Sequence, residues 1–286
     1  MYSIHGYQKK IEEYLIEKIN INEREAKIEA SHILRFILKK PNSFLISHPK
    51  EKLNKIEDEF ISKILRKRSR NEPLAYIFKE WSFYGETFYL NRNSLIPRQD
   101  TELMIDLVIN QFDKNSKLNI LDLGTGSGII GITLSKIFTN SKITITDISL
   151  KALQVANKNI KKHKVKNIKS LESNWFDKIN KDEKFDLIVT NPPYISINDK
   201  HLDNPELKYE PKNALVALDE GYSEIFKIID KSPNFLKQKG MLFIEHGYDQ
   251  SVRIKKYIQK KLYCSIRQFK DINQKIRVTS ATKIKF

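Results

Sequence analysis

An apolar run, Leu118–Leu123, leads directly into Asp122-Leu-Gly124-Thr125-Gly126-Ser127-Gly128, and a helix-forming stretch to Phe138 follows. A strand that turns into a helix through alternating glycines leaves few folds open. The glycines let the backbone approach a ligand closely, and the free N–H groups at the helix start can hydrogen-bond to it. The alternation continues downstream. Ile143–Asp147 predicts a strand, Ser149–His163 a helix, Phe185–Thr190 a strand, Glu224–Leu236 a helix and Met241–Glu245 a strand. This order predicts an α/β fold with a mostly parallel sheet covered by helices on both faces. At the tail, Ser265–Phe269 and Ile276–Ala281 flank Asp271-Ile-Asn273-Gln274 and predict an antiparallel hairpin at the sheet edge.

Residues 1–80 have another texture. No glycine occurs between Gly6 and Gly85, and apolar residues recur at helical spacing: Ile11, Leu15 and Ile19, then Ile28, Ile33, Leu34 and Ile37, then Ile56, Phe60, Ile61 and Leu65. Pro41 and Pro49 punctuate them, so a small helical bundle is expected over 1–80. The aromatic segments Trp81–Gly85 and Phe88–Leu90 predict a hairpin, read as a linker over 81–95 ahead of a catalytic domain at 96–286.

Composition narrows the class. A single cysteine, Cys264, rules out a disulfide framework or a Cys-cluster zinc site. No apolar run approaches about 18 residues, and the N-terminal segment turns charged too early for a signal peptide, so a soluble, cytoplasmic protein is expected. The chain carries 51 Lys and Arg against 35 Asp and Glu, a net +16. Such an excess is compatible with nucleic acid as a partner. It is also what lysine-rich drift produces: 41 of the basic residues are Lys and 10 are Arg, whereas bidentate readers of phosphate and guanine are usually Arg.

The glycine turn alone is ambiguous. Gly126, Gly128 and Gly131 spell G-x-G-x-x-G, and Asp147, 21 residues past Gly126, ends the second strand where a dinucleotide enzyme keeps its ribose carboxylate. An NAD enzyme therefore stays open. Two details favour S-adenosylmethionine. The glycines alternate from an acidic residue, D-x-G-x-G-x-G, and Asp122 suits a cationic ligand better than a pyrophosphate. Packing alone is the plain alternative for the glycines, and helix N-capping is the alternative for Asp147.

The most specific signal is Asn191-Pro192-Pro193-Tyr194, directly after the apolar run Phe185–Thr190. Two prolines stiffen the loop and remove donors, so its carbonyls can face outward. The Asn191 amide oxygen and the Pro192 carbonyl can accept both hydrogens of a planar NH₂, while Tyr194 packs beside it. As a conjugated nitrogen attacks a methyl group it gains positive charge, which fixed acceptors stabilise. Hydride transfer has no use for this arrangement. His246 and Glu245 read as structural residues at a strand end. Pro97–Glu102 reads either as a helix start, with Asp100 as N-cap, or as a wall of the substrate channel.

Together these residues resemble the HemK-type peptide chain release factor glutamine methyltransferases. The resemblance runs from about residue 73 to 280. It includes Leu95-Ile-Pro97-Arg98-Gln99-Asp100-Thr101-Glu102, Asp122–Gly128, Thr146-Asp147, Ser173-Asn174-Trp175-Phe176, Asn191–Tyr194, Glu210-Pro211, Glu245–Gln250 and Arg277-Val278. Two positions depart from the family pattern: Gln99, where Pro is usual, and Asn174, where Asp is more usual. The resemblance implies a Rossmann-like S-adenosylmethionine-dependent methyltransferase sheet of seven strands with an antiparallel C-terminal edge, plus a small N-terminal helical bundle that helps hold a protein substrate. It implies methylation of the glutamine amide in the Gly-Gly-Gln motif of class 1 peptide chain release factors. It assigns Gly124, Thr125, Gly126, Ser127, Gly128, Asp147, Trp175 and Asn191 to S-adenosyl-L-methionine. Asp147 would take the ribose and Trp175 would lie by the adenine. It assigns the substrate amide to Asn191, Pro192, Pro193 and Tyr194, with Asn191, Pro192 and Tyr194 catalytic, and it calls for no metal and no membrane. Three alternatives remain: a methyltransferase acting on an exocyclic amino group of DNA or RNA bases, a non-catalytic binding module, and the NAD enzyme.

Overall fold

The computed structural model describes residues 2–284. The chain forms two compact units that divide between Lys79 and Glu80.

The first unit is helical: α1 (Ile4–Ile19), α2 (Glu23–Leu38), α3 (Asn42–Ser47), α4 (Lys55–Arg68) and α5 (Leu74–Phe78). Asn22 and Asn54 start α2 and α4 through capping boxes closed by Glu25 and Glu57, which satisfies backbone donors at each end. The core face agrees with the expected one in part: Ile11, Leu15, Ile33, Leu34, Ile61 and Leu65 are buried, whereas Ile28, Ile56 and Phe60 are exposed, and α2 adds Ala26 and Ala30 to the core. Counting large apolar residues overlooks alanine, whose small side chain lets helices approach closely. The Arg68 guanidinium, 1 % exposed, is held by both oxygens of Glu29 at 2.8 Å. That bidentate pairing meets the requirement that a buried charge be matched.

The second unit opens with strands β1 (Glu80–Phe83) and β2 (Glu86–Tyr89), joined by Tyr84 and Gly85, both at positive φ as a tight hairpin turn requires. This hairpin, expected as a linker, is packed into the second unit: Phe83 and Phe88 are buried beside Met104, Val108 and Phe138. Next come α6 (Glu102–Gln111), β3 (Asn119–Leu123), α7 (Ile129–Ile137), β4 (Lys142–Asp147), α8 (Leu150–His163), β5 (Ile168–Glu172) and β6 (Phe185–Thr190). A small parallel pair, β7 (Ile195–Ser196) and β8 (Val216–Ala217), brackets α9 (Lys212–Leu215). The chain ends with α10 (Ser223–Lys231), β9 (Leu236–Glu245), α11 (Ser251–Ile258), β10 (Tyr263–Lys270) and β11 (Ile276–Lys283).

The main sheet has the order β10-β11-β9-β6-β3-β4-β5. β9, β6, β3, β4 and β5 are parallel, while β11 runs antiparallel to β9 and β10 antiparallel to β11. Successive residues face opposite cores. Ile120, Leu187 and Val189 join α6, α7 and α8, whereas Leu121, Ile188 and Leu242 join α10 and α11. The helix expected over Glu224–Leu236 stops at Lys231, and a short turn containing Pro233 hands over to β9, which begins at Leu236. Among the described residues no helix is long and apolar enough to cross a membrane.

Candidate active site

The strand register brings the motif residues together. Leu123 of β3 pairs with Thr190 of β6, so Gly124 and Asn191 leave the sheet side by side at its carboxyl edge. The Thr190 hydroxyl donates to the Leu123 carbonyl at 2.8 Å and pins the two exits. On the other side of β3, Leu123 pairs with Thr146, which puts Asp147 next to Gly124. On the other side of β6, Thr190 pairs with Ile244, which puts Glu245 beside Asn191. Four strand ends thus stand in a row at the edge where ligands of open parallel sheets bind.

The glycine turn is built from within. Asp122 is fully buried, and its Oδ2 accepts from the Thr125 hydroxyl at 2.6 Å and from the Gly131 N–H at 2.9 Å. Burial raises its carboxyl to about 7, against the lowering effect of those two bonds. Asp122 is therefore a latch under the turn; the surface role suggested by its sign does not fit its burial. Thr125 and Ser127 are buried as well, and Asn159 donates to the Ser127 carbonyl at 2.9 Å. What the turn turns outward is backbone, above all at Gly126. Its φ of +56° favours glycine, and a Cβ there would have nothing within 4 Å. Gly128, φ +83°, starts α7.

Asp147 is half-buried, and its carboxylate is oriented by two backbone donors: Gly126 N–H to Oδ2 at 2.9 Å and Ser149 N–H to Oδ1 at 2.8 Å. Desolvation raises its carboxyl above the ordinary range, and these bonds oppose the shift. Ser149 caps α8 through its own hydroxyl, so the helix does not need Asp147 as its cap. Trp175, at φ +50°, lays its ring against Gly124, where a Cβ would meet Cζ3 at 3.1 Å. Its indole N–H donates to Glu224 at 2.7 Å, which fixes the ring's tilt. Asn174 is exposed.

Asn191, Pro193 and Tyr194 are half-buried and Pro192 is buried. The Asn191 Nδ2 donates inward to the Thr101 hydroxyl at 3.3 Å, and Thr101 and Asn191 both lie against the Glu245 carboxyl and favour its ionised form. Among the described residues no hydrogen bond ends on Asn191 Oδ1 or on the Pro192 carbonyl. The loop beyond is clamped. Gln250 donates to the Tyr194 carbonyl at 3.0 Å, and a Cβ on Gly221, φ +90°, would sit 2.1 Å from that same oxygen. Burial pushes the Tyr194 phenol up, and the nearby Glu245 charge pushes it further.

The remaining motif fragments form the frame. Buried Glu210 accepts from the Ile96 N–H at 3.0 Å and from Arg98 at 2.7 Å. Arg277 bridges Asp100 and Asp271, each at 3.1 Å. Asp100 makes no capping bond, which removes the N-cap reading, and Glu102 accepts from the Tyr84 N–H at 2.8 Å. His246 lies buried between the Gly247 carbonyl and the Thr279 hydroxyl; burial lowers it to about 4, so its imidazole is neutral near pH 7. Sequence reasoning missed Asn159, Gly221 and Gln250 as parts of the site, reached Thr101 only within Pro97–Glu102 as a possible channel wall, and took Glu245 for scaffold. The one available signal was a carboxylate ending the apolar run Met241–Ile244, as Asp147 ends β4.

Comparisons with known proteins identify the family. The family model described as "Methyltransferase small domain" matches residues 100–205, and "PrmC N-terminal domain" matches residues 11–78. A release factor glutamine methyltransferase from Pasteurella multocida is 35% identical over 271 residues, covering 89% of this chain and 90% of that protein. The chain belongs to the release factor glutamine methyltransferases. A bifunctional methyltransferase from Rickettsia bellii is 39% identical, and there this family member spans only about half the relative's length, 48%. Among solved structures, a Pyrococcus furiosus methyltransferase superposes with a TM-score of 0.54 at 17% identity, covering 77% of this chain and 99% of that one. A 16S rRNA methyltransferase from T. thermophilus gives 0.55 at 16%, covering 71% and 49%. Those two likenesses concern the fold of this glutamine methyltransferase family member and nothing further.

Proposed function

We propose that the chain transfers a methyl group from S-adenosylmethionine to the side-chain amide nitrogen of glutamine in the Gly-Gly-Gln motif of a class 1 release factor, in the cytoplasm. The observation that supports this reading best is the register of β3 and β6, which brings Asn191-Pro192 to the same sheet edge as the glycine turn that follows Leu123.

The residues fit that cofactor. The space a Cβ would enter at Gly126 leaves room for a ligand against backbone, the Asp147 carboxylate is pre-oriented for a diol, and the Trp175 ring covers Gly124. Gly124–Gly128, Asp147 and Trp175 would hold it. When bound, it would supply a methyl group on a sulfonium, with sulfur as the leaving group that keeps the carbon–sulfur bonding pair. Asn191 Oδ1 and the Pro192 carbonyl accept the two hydrogens of the substrate NH₂. Tyr194 packs on the planar amide, and Pro193 keeps the loop rigid. As the nitrogen lone pair forms the new N–C bond, charge develops on nitrogen, and the two fixed acceptor dipoles stabilise it without reorganising. The product nitrogen then gives its extra proton to solvent, so no base is needed beforehand.

Co-expression with a class 1 release factor, followed by mass spectrometry of its Gly-Gly-Gln peptide, tests this. One added methyl group on glutamine is expected. An unmodified peptide from cells with abundant folded enzyme would overturn it.

A further inference from the structure

We infer that Glu245 is a positioning residue for Asn191: through Thr101 and directly, it holds the side-chain amide in the one orientation that turns Oδ1 toward the substrate nitrogen. This rests on the function proposed above. A primary amide has one acceptor oxygen and one donor nitrogen, and only the oxygen is useful facing a substrate NH₂. Nothing in Asn191 itself chooses between its two flips. The Thr101 hydroxyl cannot choose either, because it donates and accepts with equal ease. Glu245 can. An ionised carboxylate only accepts, so beside Thr101 and Asn191 it attracts their hydrogens and repels Oδ1 if the amide turns over.

The site is built for this. Glu245 is 1 % exposed and Thr101 is 1 % exposed, so water does not compete. Glu245 is delivered beside Asn191 by the β6–β9 register, one residue beyond the Thr190–Ile244 pair. Its Oε2 is buried with no hydrogen-bond partner among the described residues, so that oxygen is not committed elsewhere in the fold. The charged groups that face it are Asp100, which disfavours its ionisation, and Arg277, which favours it. Tyr194 is an un-ionised neighbour, and the adjacent His246 is neutral. Burial brings Glu245 to about 7. Below that pH the carboxyl gains a proton and becomes a donor. It can then pair with Oδ1 and draw the acceptor inward; above it, the outward flip is enforced.

The test uses full-length protein. The side-chain ¹⁵NH₂ signal of Asn191, assigned by its loss in Asn191→Ala, is followed from pH 5.5 to 8.5. It should shift with a midpoint near 7, where burial puts the Glu245 carboxyl, in the native protein and stay flat in Glu245→Gln. Glu245→Gln should lower kcat for release factor about tenfold, leave KM and cofactor Kd within about twofold, and remove the acidic limb of kcat. Thr101→Val should lower kcat similarly, and Thr101→Ser, which restores the hydroxyl, should recover most of the loss; this pair decides the matter if Glu245→Gln fails to fold. A native Asn191 signal that does not move with pH would overturn the inference, as would a Glu245→Gln enzyme with native kcat. The first readout needs no substrate, so a native enzyme that fails to methylate release factor would sink the proposed function and leave this measurement decisive.

Discussion

At the scale of single residues, the site works by fixing which atom faces which way. The Asn191 nitrogen is held at Thr101, and in the role proposed above the Glu245 carboxylate beside that pair keeps the amide from turning over. Replacing it with Ala should lower kcat roughly 10²–10³-fold, the usual effect of losing one preorganised partner of developing charge. Cofactor affinity, read by calorimetry, should stay within about twofold; equal losses in both would count against the assigned role. Asp122 illustrates the opposite arrangement, a carboxyl whose task is internal. Its folded value of about 7 lies above the ordinary carboxylate value, so between those two values the folded chain holds a proton that the unfolded chain has released. Its contribution is therefore fully present at low pH and is lost as pH rises toward the folded value. Asp122→Asn, which mimics the protonated form, should gain several degrees of Tm over the native protein between pH 5 and pH 8. A Tm difference independent of pH would show that Asp122 is ionised in the fold.

At the scale of elements, glycines set close approaches. Gly131 lies where α7 crosses β4, and a Cβ there would stand 2.4 Å from Ile145 Cγ2. Gly131→Ala should destabilise the chain by about 1–3 kcal/mol through overpacking, measurable by denaturant unfolding. Gly221 touches the Tyr194 carbonyl, so Gly221→Ala should displace the substrate loop. KM for release factor should rise and kcat fall while cofactor affinity holds; native kinetics would remove the clamp from the argument. The elements themselves differ in how readable they are. β3 and β6 are largely apolar and β4 alternates isoleucine with β-branched threonine; all three are buried on both faces, and the turn after β3 announces itself, so their places follow from sequence. β5 reads Ile-Lys-Ser-Leu-Glu at the sheet's edge, where half-exposed positions erase the pattern. α11, only eight residues long with two lysines, offers too few turns for its period to stand out.

At the scale of the whole molecule, the net charge of +16 remains after every acidic residue is balanced, and it is carried by lysine far more than by arginine, 41 to 10, the less suited side chain for bidentate reading of phosphate or guanine. Lys136 with Glu86, Lys227 with Glu224, Lys231 with Asp177 and Lys237 with Asp186 are exposed or half-exposed couples of small individual weight. With labelled cofactor at physiological salt, radioactivity should therefore enter release factor and leave DNA and ribosomal RNA at background; label in nucleic acid would revive the base-modifying alternative. The catalytic fragments were visible one by one in the sequence, but their grouping was not. Leu95–Glu102, Glu210 and Arg277 lie up to 182 positions apart, and only the strand order and the Glu210 and Arg277 pairings reveal that they are one frame. The first-unit core was half-legible, because alanine carries what bulk would have advertised. One further consequence comes from Asn159. A single amide grips the Tyr89 backbone at both N–H and carbonyl and also grips the Ser127 carbonyl, stitching the entry hairpin to the ligand turn. Those three stretches must therefore drift together in evolution: a lineage that discards this asparagine has to rebuild both seams at once.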